Sequence, residues 1–343
     1  SGRIDRISVF AGLDNRPEKT SKALNYLLVG SDTREGLTKE EMKALRVGST
    51  KTAAGGRSDT MLLVHISKKR DKAFLVSLPR DSLVTIPAHL SADGKTQIPD
   101  RENKLNAAFA FGGAPLLIET IERATNLQMD HYIEVSFAGF AGIVNALGGI
   151  EVCTKVDIDD PNSHLVLSAG THTLNGIEAL KYVRTRDFDG RGDIGRMQRQ
   201  QQFMSSVIKK ATSTGVLLNP IKLTNFLNAA ISTVKMDETL SKNDLLDLAK
   251  QMRGLSSGNV RTLTVPLKTA NGRHPTAGSV VIWDPVLSAD LWTRIRDDAA
   301  LVDEVTPSPS ASSSSSASAS AKPVIVDKFK TRTAAENPCG EIK

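Results

Sequence analysis

Between Tyr182 and Gln201 the chain reads YVRTRDFDGRGDIGRMQRQQ, with five arginines in twenty residues. Arg184 and Arg186 stand two apart at the end of a β-like run and so share one face of a strand. Arg196, Arg199 and Gln200 follow at i, i+3 and i+4, the spacing of one helix face. Two cationic groups from adjoining elements can converge on one point. Gathered guanidinium forks bind phosphate or carboxylate, often in bidentate fashion. The competing reading is a solvated face of ordinary surface ion pairs, and on this stretch alone the two weigh about equally.

A second constellation is acidic. Asn25–Gly30 (NYLLVG) is a short apolar run that ends in Ser31-Asp32-Thr33, and Arg57-Ser58-Asp59 opens the next apolar run, Thr60–Ile66. The polar excursion between them carries no strong crossover helix, so the two strands pair antiparallel. That pairing places Asp32 and Asp59 at one sheet edge. A third strand, Ala73–Leu78, runs into Pro79-Arg80-Asp81 and brings Arg80 to the same edge. Facing carboxylates repel unless a cation lies between them. Oxygen-only ligands of this kind suit Mg²⁺ held by one or two carboxylates plus substrate phosphates. Equally, both aspartates could be plain turn residues at strand ends.

The elements that must position these groups follow from the pattern. A helix from Lys104 to Phe111 is interrupted by Gly112-Gly113, and Pro115 opens a second one to Thr125. Phe137–Leu147 is an apolar helix stopped by Gly148-Gly149. Asn175–Leu180 is a short helix leading into the β-like run Lys181–Thr185. Ile194–Ala211 is a helix with Asp193 as its N-cap. Two more helices, Asn219–Val234 and Asp237–Met252, precede late strands at Val260–Val265 and Ser279–Ile282, and a last helix starts at Asp284-Pro285.

Composition bounds the function class. The chain has 343 residues and a net charge of +6, which favours an anionic partner such as a membrane surface, polyphosphate or nucleic acid. Aromatic residues make up only 4%, too few for stacking platforms along a single strand. No helix-turn-helix, basic-region or zinc-finger pattern is present, which argues against a DNA-binding regulator. No CxxC or His/Cys cluster supports a zinc site, and the histidines, among them His65, His131 and His172, do not cluster. No apolar run reaches the length of a membrane span. Residues 1–23 are polar and read as a lead-in, residues 306–322 as a Ser/Ala-rich flexible linker, and residues 323–343 as a tail bearing Cys339. A lone cysteine on such a tail does little unless tied down, and Cys153 is the only available partner. A Cys153–Cys339 disulfide is therefore expected if the protein is exported.

Seven motifs occur in order: YLLVGSDTR, GGRSDTMLLVHI, LVSLPRDSLV, KLNAAFAFGG, LGGIEV, AGTHTLNGIEALKYVRTR and GDIGRMQRQQ. Together, over residues 24–214, they resemble the LytR-CpsA-Psr family of cell-wall glycopolymer ligases, and the linker and Cys-bearing tail resemble actinobacterial members. The resemblance implies a three-layer α/β/α fold: a central mixed sheet flanked by helices, with an apolar polyprenyl pocket between sheet and helices, and with residues 24–305 as the catalytic domain. It implies an N-terminal single-pass membrane anchor, missing here, with the catalytic domain outside the cell. It implies transfer of a glycopolymer from a polyprenyl-pyrophosphate carrier to a peptidoglycan hydroxyl, that of N-acetylmuramic acid C6, with slow pyrophosphate hydrolysis alongside.

Carried onto this sequence, Asp32 and Asp59 match the aspartates associated with Mg²⁺ (or Mn²⁺). Arg57, Arg80, Arg184, Arg186, Arg196 and Arg199 match the arginines lining the pyrophosphate site, Asp193 and Gln200 further polar positions there, and Lys72 a weaker one. Asp81 and Asp193 are both candidates for the base, and the residues do not choose between them. Arabinogalactan, teichoic acid and capsular polysaccharide are all compatible polymers, the tail favouring a galactan- or rhamnose-linked one. A plain Mg²⁺-dependent pyrophosphatase or nuclease would use the same groups with water as nucleophile. A lipid pocket separates the two.

Overall fold

The computed structural model describes residues 5–33, 36–45, 58–185, 192–213, 215–216, 218–305, 323–336 and 339, with the backbone alone at 58–59 and 192–194. Its centre is an eight-stranded mixed sheet built from β1 (Asp5–Ile7), β2 (Leu24–Ser31), β3 (Ser58–Ile66), β4 (Ala73–Leu78), β5 (His131–Val135), β6 (Val234–Asp237), β7 (Val260–Thr264) and β8 (Arg332–Thr333). The strand order is β1-β6-β5-β2-β3-β4-β7-β8. Pairs β1·β6, β5·β2 and β4·β7 are parallel, and the other four are antiparallel.

Successive side chains of a strand point to opposite faces, and both faces of this sheet are apolar. Leu27, Val29, Met61, Leu63, Phe74 and Val76 pack on one side, against α2 (Leu105–Thr125) and α8 (Pro285–Arg296). Leu28, Leu62, Val64 and Leu75 point to the other. That second side carries α3 (Phe137–Ala146), α4 (Gly176–Arg184), α5 (Gly192–Ser213), α6 (Pro220–Ile231) and α7 (Lys242–Gln251). The three-layer α/β/α arrangement expected from the family resemblance is the observed one. A short helix, α1 (Lys39–Ala44), follows β2 and starts with a capping box between Thr38 and Glu41.

Helix ends follow local chemistry. Gly113 adopts φ 66° and ψ −156°, a conformation that breaks α2 just before Pro115. Ser136 caps α3 by accepting a hydrogen bond from the Gly139 N–H. At α4 a capping box operates: the Asn175 side chain accepts from the Ile177 and Glu178 amides, and Glu178 returns to the Asn175 N–H. Gly176 is required there, because a Cβ would meet the Ala141 carbonyl oxygen of α3 at 2.4 Å.

Three sequence expectations change. The run Lys181–Thr185 is not a strand: the helix begun at Asn175 continues to Arg184, burying Ala179, Leu180 and Tyr182 on one face. A short stretch with a valine and a tyrosine reads equally as strand or helix, and the capping box decides. The α5 helix begins at Gly192, so Asp193 lies inside its first turn and is not its N-cap. The polar segments at both ends join the sheet. β1 pairs with β6, and Val9 is buried behind it. β8 covers the outer edge of β7, and a disulfide joins Cys153 to Cys339.

Candidate active site

The antiparallel register of β2 and β3 runs Gly30 to Thr60 and then, after an irregularity, Ser31 to Ser58. Asp59 is thus the extra residue of a bulge, a device that re-aims a strand end, and Asp32 follows directly on its partner strand. In the β3–β4 ladder Met61 faces Leu78. Arg80 comes two residues later, where a continued ladder would face Asp59. The backbone positions of Asp32, Asp59 and Arg80 therefore fall at one end of the sheet. Asp32 is half-buried.

Between the sheet and α3, α4 and α5 lies a cavity of about 670 Å³. Leu28, Leu62 and Leu75 form its floor, and Phe140, Ile143, Phe203 and Val207 form its walls and roof. Toward the sheet end that carries Asp32, the lining turns polar with Ser31, Thr60 and Ser77, and Arg80, Arg184, Arg196 and Gln200 line the same space. An apolar slot with cations gathered at one end suits an amphiphile with an anionic head.

Each cation is held differently. Arg184, in the last turn of α4, has its guanidinium 5.1 Å from the centre of the Phe137 ring. Arg196, one turn into α5, is buried, with 8% of its surface exposed. Gln200 lies one turn further along and donates to the Val183 carbonyl at 3.2 Å, tying α5 to α4. Arg80 is partly exposed, and its Nε lies 3.9 Å from Asp81. The Asp81 carboxylate is also 3.4 Å from Lys104 Nζ, so it sits between two cations beside the cavity and not in its lining.

Arg199 and Lys72 belong elsewhere. Arg199 is buried and donates to the Thr185 carbonyl at 2.5 Å. Thr185 Oγ1 lies 3.0 Å from Ser163 Oγ, which donates to the buried Asp160 carboxylate at 2.9 Å. This network fixes the turn after α4, and Arg199 does not line the cavity. Beneath it, burial pushes the Tyr182 phenol up to about 12 and keeps it neutral, although the nearby Arg199 charge acts the other way. Lys72 precedes β4, and its backbone pairs with Ser67 in the turn joining β3 to β4. Arg80 follows the same strand at its opposite end. At about 3.3 Å per residue the strand separates them by more than 20 Å, so Lys72 is removed from the cluster. Arg57 and Arg186 fall outside the described residues, as do the side chains of Asp59 and Asp193.

Sequence reasoning missed Phe137 under Arg184, and Asn162 and Ser163, which enter the lining from the turn of the hairpin Ile158–Asp160/Leu165–Leu167. It also missed the hydroxyls of Thr60, Ser77 and Thr262. Their signal is the period-two alternation that puts Thr60 on the face of Leu62 and Ser77 on the face of Leu75. That signal becomes legible only once strand register is known.

A metal can be judged from the donor set. Among the described residues no group of three His, Cys, Asp or Glu side chains forms a closed cage. Mg²⁺ does not need one: it takes one or two carboxylates and completes its shell with water and substrate phosphate. The backbone positions of Asp32 and Asp59, on paired strands at one sheet end, match that demand in the number and type of donors.

Similarity to known proteins agrees with this geometry. The chain is 37% identical over 272 residues to the probable cell wall biosynthesis protein LcpB of Corynebacterium glutamicum, covering 79% of this chain and 61% of that protein. It is 30% identical over 254 residues to the polyisoprenyl-teichoic acid–peptidoglycan teichoic acid transferase TagU of Bacillus anthracis, covering 74% and 78%. A solved structure of TagT bound to LI-WTA superposes with a TM-score of 0.61 at 25% identity, covering 85% of this chain and 99% of that one. The chain spans between about half and three-fifths of the length of the two Corynebacterium relatives, 61% of LcpB and 53% of LcpA. Residues 7–285, which include every residue lining the cavity, match the LytR_cpsA_psr family, and the chain belongs to that family.

Proposed function

We propose that this protein transfers a cell-wall glycopolymer from a polyprenyl-pyrophosphate carrier to a hydroxyl of peptidoglycan. The observation that carries the reading is the single cavity that joins an apolar slot to Arg80, Arg184 and Arg196. A polyprenyl chain fills the slot, and its pyrophosphate lies against the arginines. TagU bears the name of a transferase acting between polyisoprenyl-teichoic acid and peptidoglycan, which supports the same donor and acceptor classes here.

In the reaction the acceptor oxygen attacks the phosphorus that bears the glycan. A P–O bond to the carrier breaks, the carrier leaves as polyprenyl phosphate, and the acceptor hydroxyl loses its proton. Phosphoryl transfer asks a protein mainly for positioning and for neutralisation of charge. The arginines supply fixed positive charge where the leaving phosphate gains negative charge, and the apolar walls exclude water and strengthen that attraction. Mg²⁺ (or Mn²⁺) held by Asp32 and Asp59 would add a Lewis acid to the same phosphate oxygens. Asp193, in the first turn of α5, and Asp81, beside Arg80, are the acidic groups available to the acceptor proton. The C6 hydroxyl of N-acetylmuramic acid as acceptor, and a slow hydrolysis of pyrophosphate when water replaces it, belong to this reading. So do a preceding membrane anchor and a catalytic domain outside the cell. The disulfide suits an oxidising compartment.

Reconstitution with a defined lipid-linked donor and peptidoglycan tests the proposal. Wild-type protein is expected to form the glycopolymer–peptidoglycan product. Arg184→Ala and Arg196→Ala are expected to fold and to lose on the order of 10²-fold or more in transfer, as when a preorganised charge donor is removed. Wild-type turnover in either variant would contradict the assignment. Release of free glycopolymer phosphate with no product on peptidoglycan would favour the hydrolase reading instead.

A further inference from the structure

The α5 helix has two working faces. Arg196, Gln200, Phe203 and Val207 look into the apolar cavity. Gln198, Gln202, Ser206 and Lys209, set about one helical turn apart, look the other way into a second and larger space of about 950 Å³. The far wall of this trough is the disulfide-tethered tail from Phe329 to Glu336, laid along β7. Gln201 stands between the two spaces and lines both. Its side-chain amide donates to Ser77 at 3.2 Å and to Thr264 at 2.6 Å, which closes the partition.

We infer that this trough is a glycan-binding site that seats a sugar polymer beside the pyrophosphate site, an inference that rests on the transferase reading. Four observations carry it. Amides and hydroxyls, among them Gln202, Ser206, Thr262 and Thr331, are the largest class in the lining, interleaved with apolar groups such as Val265 and Phe329 that can stack on sugar rings. Short side chains that both donate and accept match a polyhydroxyl ligand better than a lipid or an apolar helix. The charged lining residues are Lys209, Lys210, Lys330 and Arg332 against Glu151 and Glu336, a positive excess that suits a glycan bearing carboxylate or phosphate. The volume lies at the upper limit for a single small-molecule pocket, room for several sugar units.

Position supplies the fourth observation. The trough begins at Met197, next to Arg196, and at Pro266, just past the end of β7. In the parallel β4–β7 ladder Thr264 faces Ser77, three residues before Arg80. One end of the trough therefore opens at the cationic mouth of the cavity. A glycan laid along α5 reaches the mouth with its terminal or branching hydroxyl, while the lipid pyrophosphate occupies the other side of the same helix. The ligand chemistry is shared by two polymers, the peptidoglycan acceptor and the glycan of the donor.

Calorimetric titration distinguishes them. The probes are soluble peptidoglycan fragments released by a muramidase, the glycopolymer freed of its lipid, and geranylgeranyl pyrophosphate as a reporter of the cavity. Ser206→Trp fills the trough, and Lys209→Glu with Lys330→Glu reverses its charge without adding bulk. Both variants are expected to weaken binding of at least one glycan probe tenfold or more and to leave geranylgeranyl pyrophosphate binding within about twofold. The probe that is lost names the source. The charge-reversed protein answers the question if the tryptophan variant fails to fold. Wild-type glycan affinity in the charge-reversed protein, or no glycan binding by the wild type, would overturn the inference. Glycan binding lost in these variants while the wild type ignores geranylgeranyl pyrophosphate would instead sink the lipid-carrier reading and leave the trough standing.

Discussion

Arg184 and Arg199 belong to one corner of the molecule and do different work. Arg184 lines the cavity at the end of α4 with its guanidinium over Phe137, where a phosphate can share it. Arg199 is directed at the Thr185 carbonyl and holds the turn that follows Arg184. That hydrogen bond goes to the backbone that follows Arg184, not to the cavity. Helical spacing groups Arg196, Arg199 and Gln200 correctly on one side of α5, but three-residue and four-residue steps differ by enough rotation to send one side chain to the neighbouring helix and another to the cavity. The acidic pair invites a direct test at this scale. If Asp32 and Asp59 share one Mg²⁺, Asp59→Ala leaves a single carboxylate. Titration of Mg²⁺ into protein saturated with geranylgeranyl pyrophosphate is then expected to show an affinity lower by about tenfold or more. An unchanged Mg²⁺ affinity would remove Asp59 from the metal site.

At the scale of elements, the sheet is pinned far from the chemistry by one buried carboxylate. Asp237 ends β6 and accepts hydrogen bonds from the Thr239 and Leu240 amides, from the Thr239 hydroxyl, and across the ladder from the Tyr132 amide and His131. Arg6 of the first strand donates to the Asp237 and Leu240 carbonyls and docks β1 on the same point. Burial alone would raise the Asp237 carboxyl, but the donors, His131 and Thr239 foremost, outweigh it and bring its pKa down to about 2. A folded-state pKa below the unfolded value means that the ionised form is favoured by folding. The stabilisation, about 2 kcal/mol, is complete above the unfolded pKa near 4 and is lost as pH falls toward 2. Urea unfolding of wild type and Asp237→Asn is expected to differ by about 2 kcal/mol at pH 6, with the gap narrowing steadily below pH 4. A gap independent of pH would contradict this account.

Elements also show which parts of the fold can be read without coordinates. β2, β3 and β4 are long apolar runs with turn residues between them, so their pairing, and with it the placing of Asp32 and Arg80 at one sheet end, is legible. β1 and β8 are three and two residues long and polar in sequence. They are strands because neighbouring edges offer hydrogen bonds, a tertiary effect that no local pattern encodes. The α4 helix is intermediate: its capping box is written in Asn175 and Glu178, and only its length is ambiguous.

Across the whole molecule, the two ends of the chain close the sheet from both sides, β1 beyond β6 and β8 beyond β7. The C-terminal closure is thin. Val324–Val326 pairs with Asp303–Val305, Arg332–Thr333 pairs with β7, and the Ala334 amide donates to the Val260 carbonyl. So few ladder bonds would fray in water on their own. The Cys153–Cys339 bond changes that by holding the tail at a high effective concentration over its own edge. The bond spans 186 residues, and the chain-entropy argument assigns a loop of that length about 5 kcal/mol of destabilisation of the unfolded state. Two effects should therefore separate on reduction. Global stability to urea is expected to fall by about 3–5 kcal/mol in Cys153→Ser with Cys339→Ser. Amide exchange should rise first along Val260–Thr264, the edge exposed when the tail lifts, while β2 and β3 at the sheet centre keep protection up to the new global limit. The tail also forms one wall of the trough beside α5, so the same variant should lose glycan binding before it loses geranylgeranyl pyrophosphate binding. Uniform acceleration of exchange across the sheet, with both ligands lost together, would mean that the disulfide supports the domain as one unit and has no separate hold on the tail.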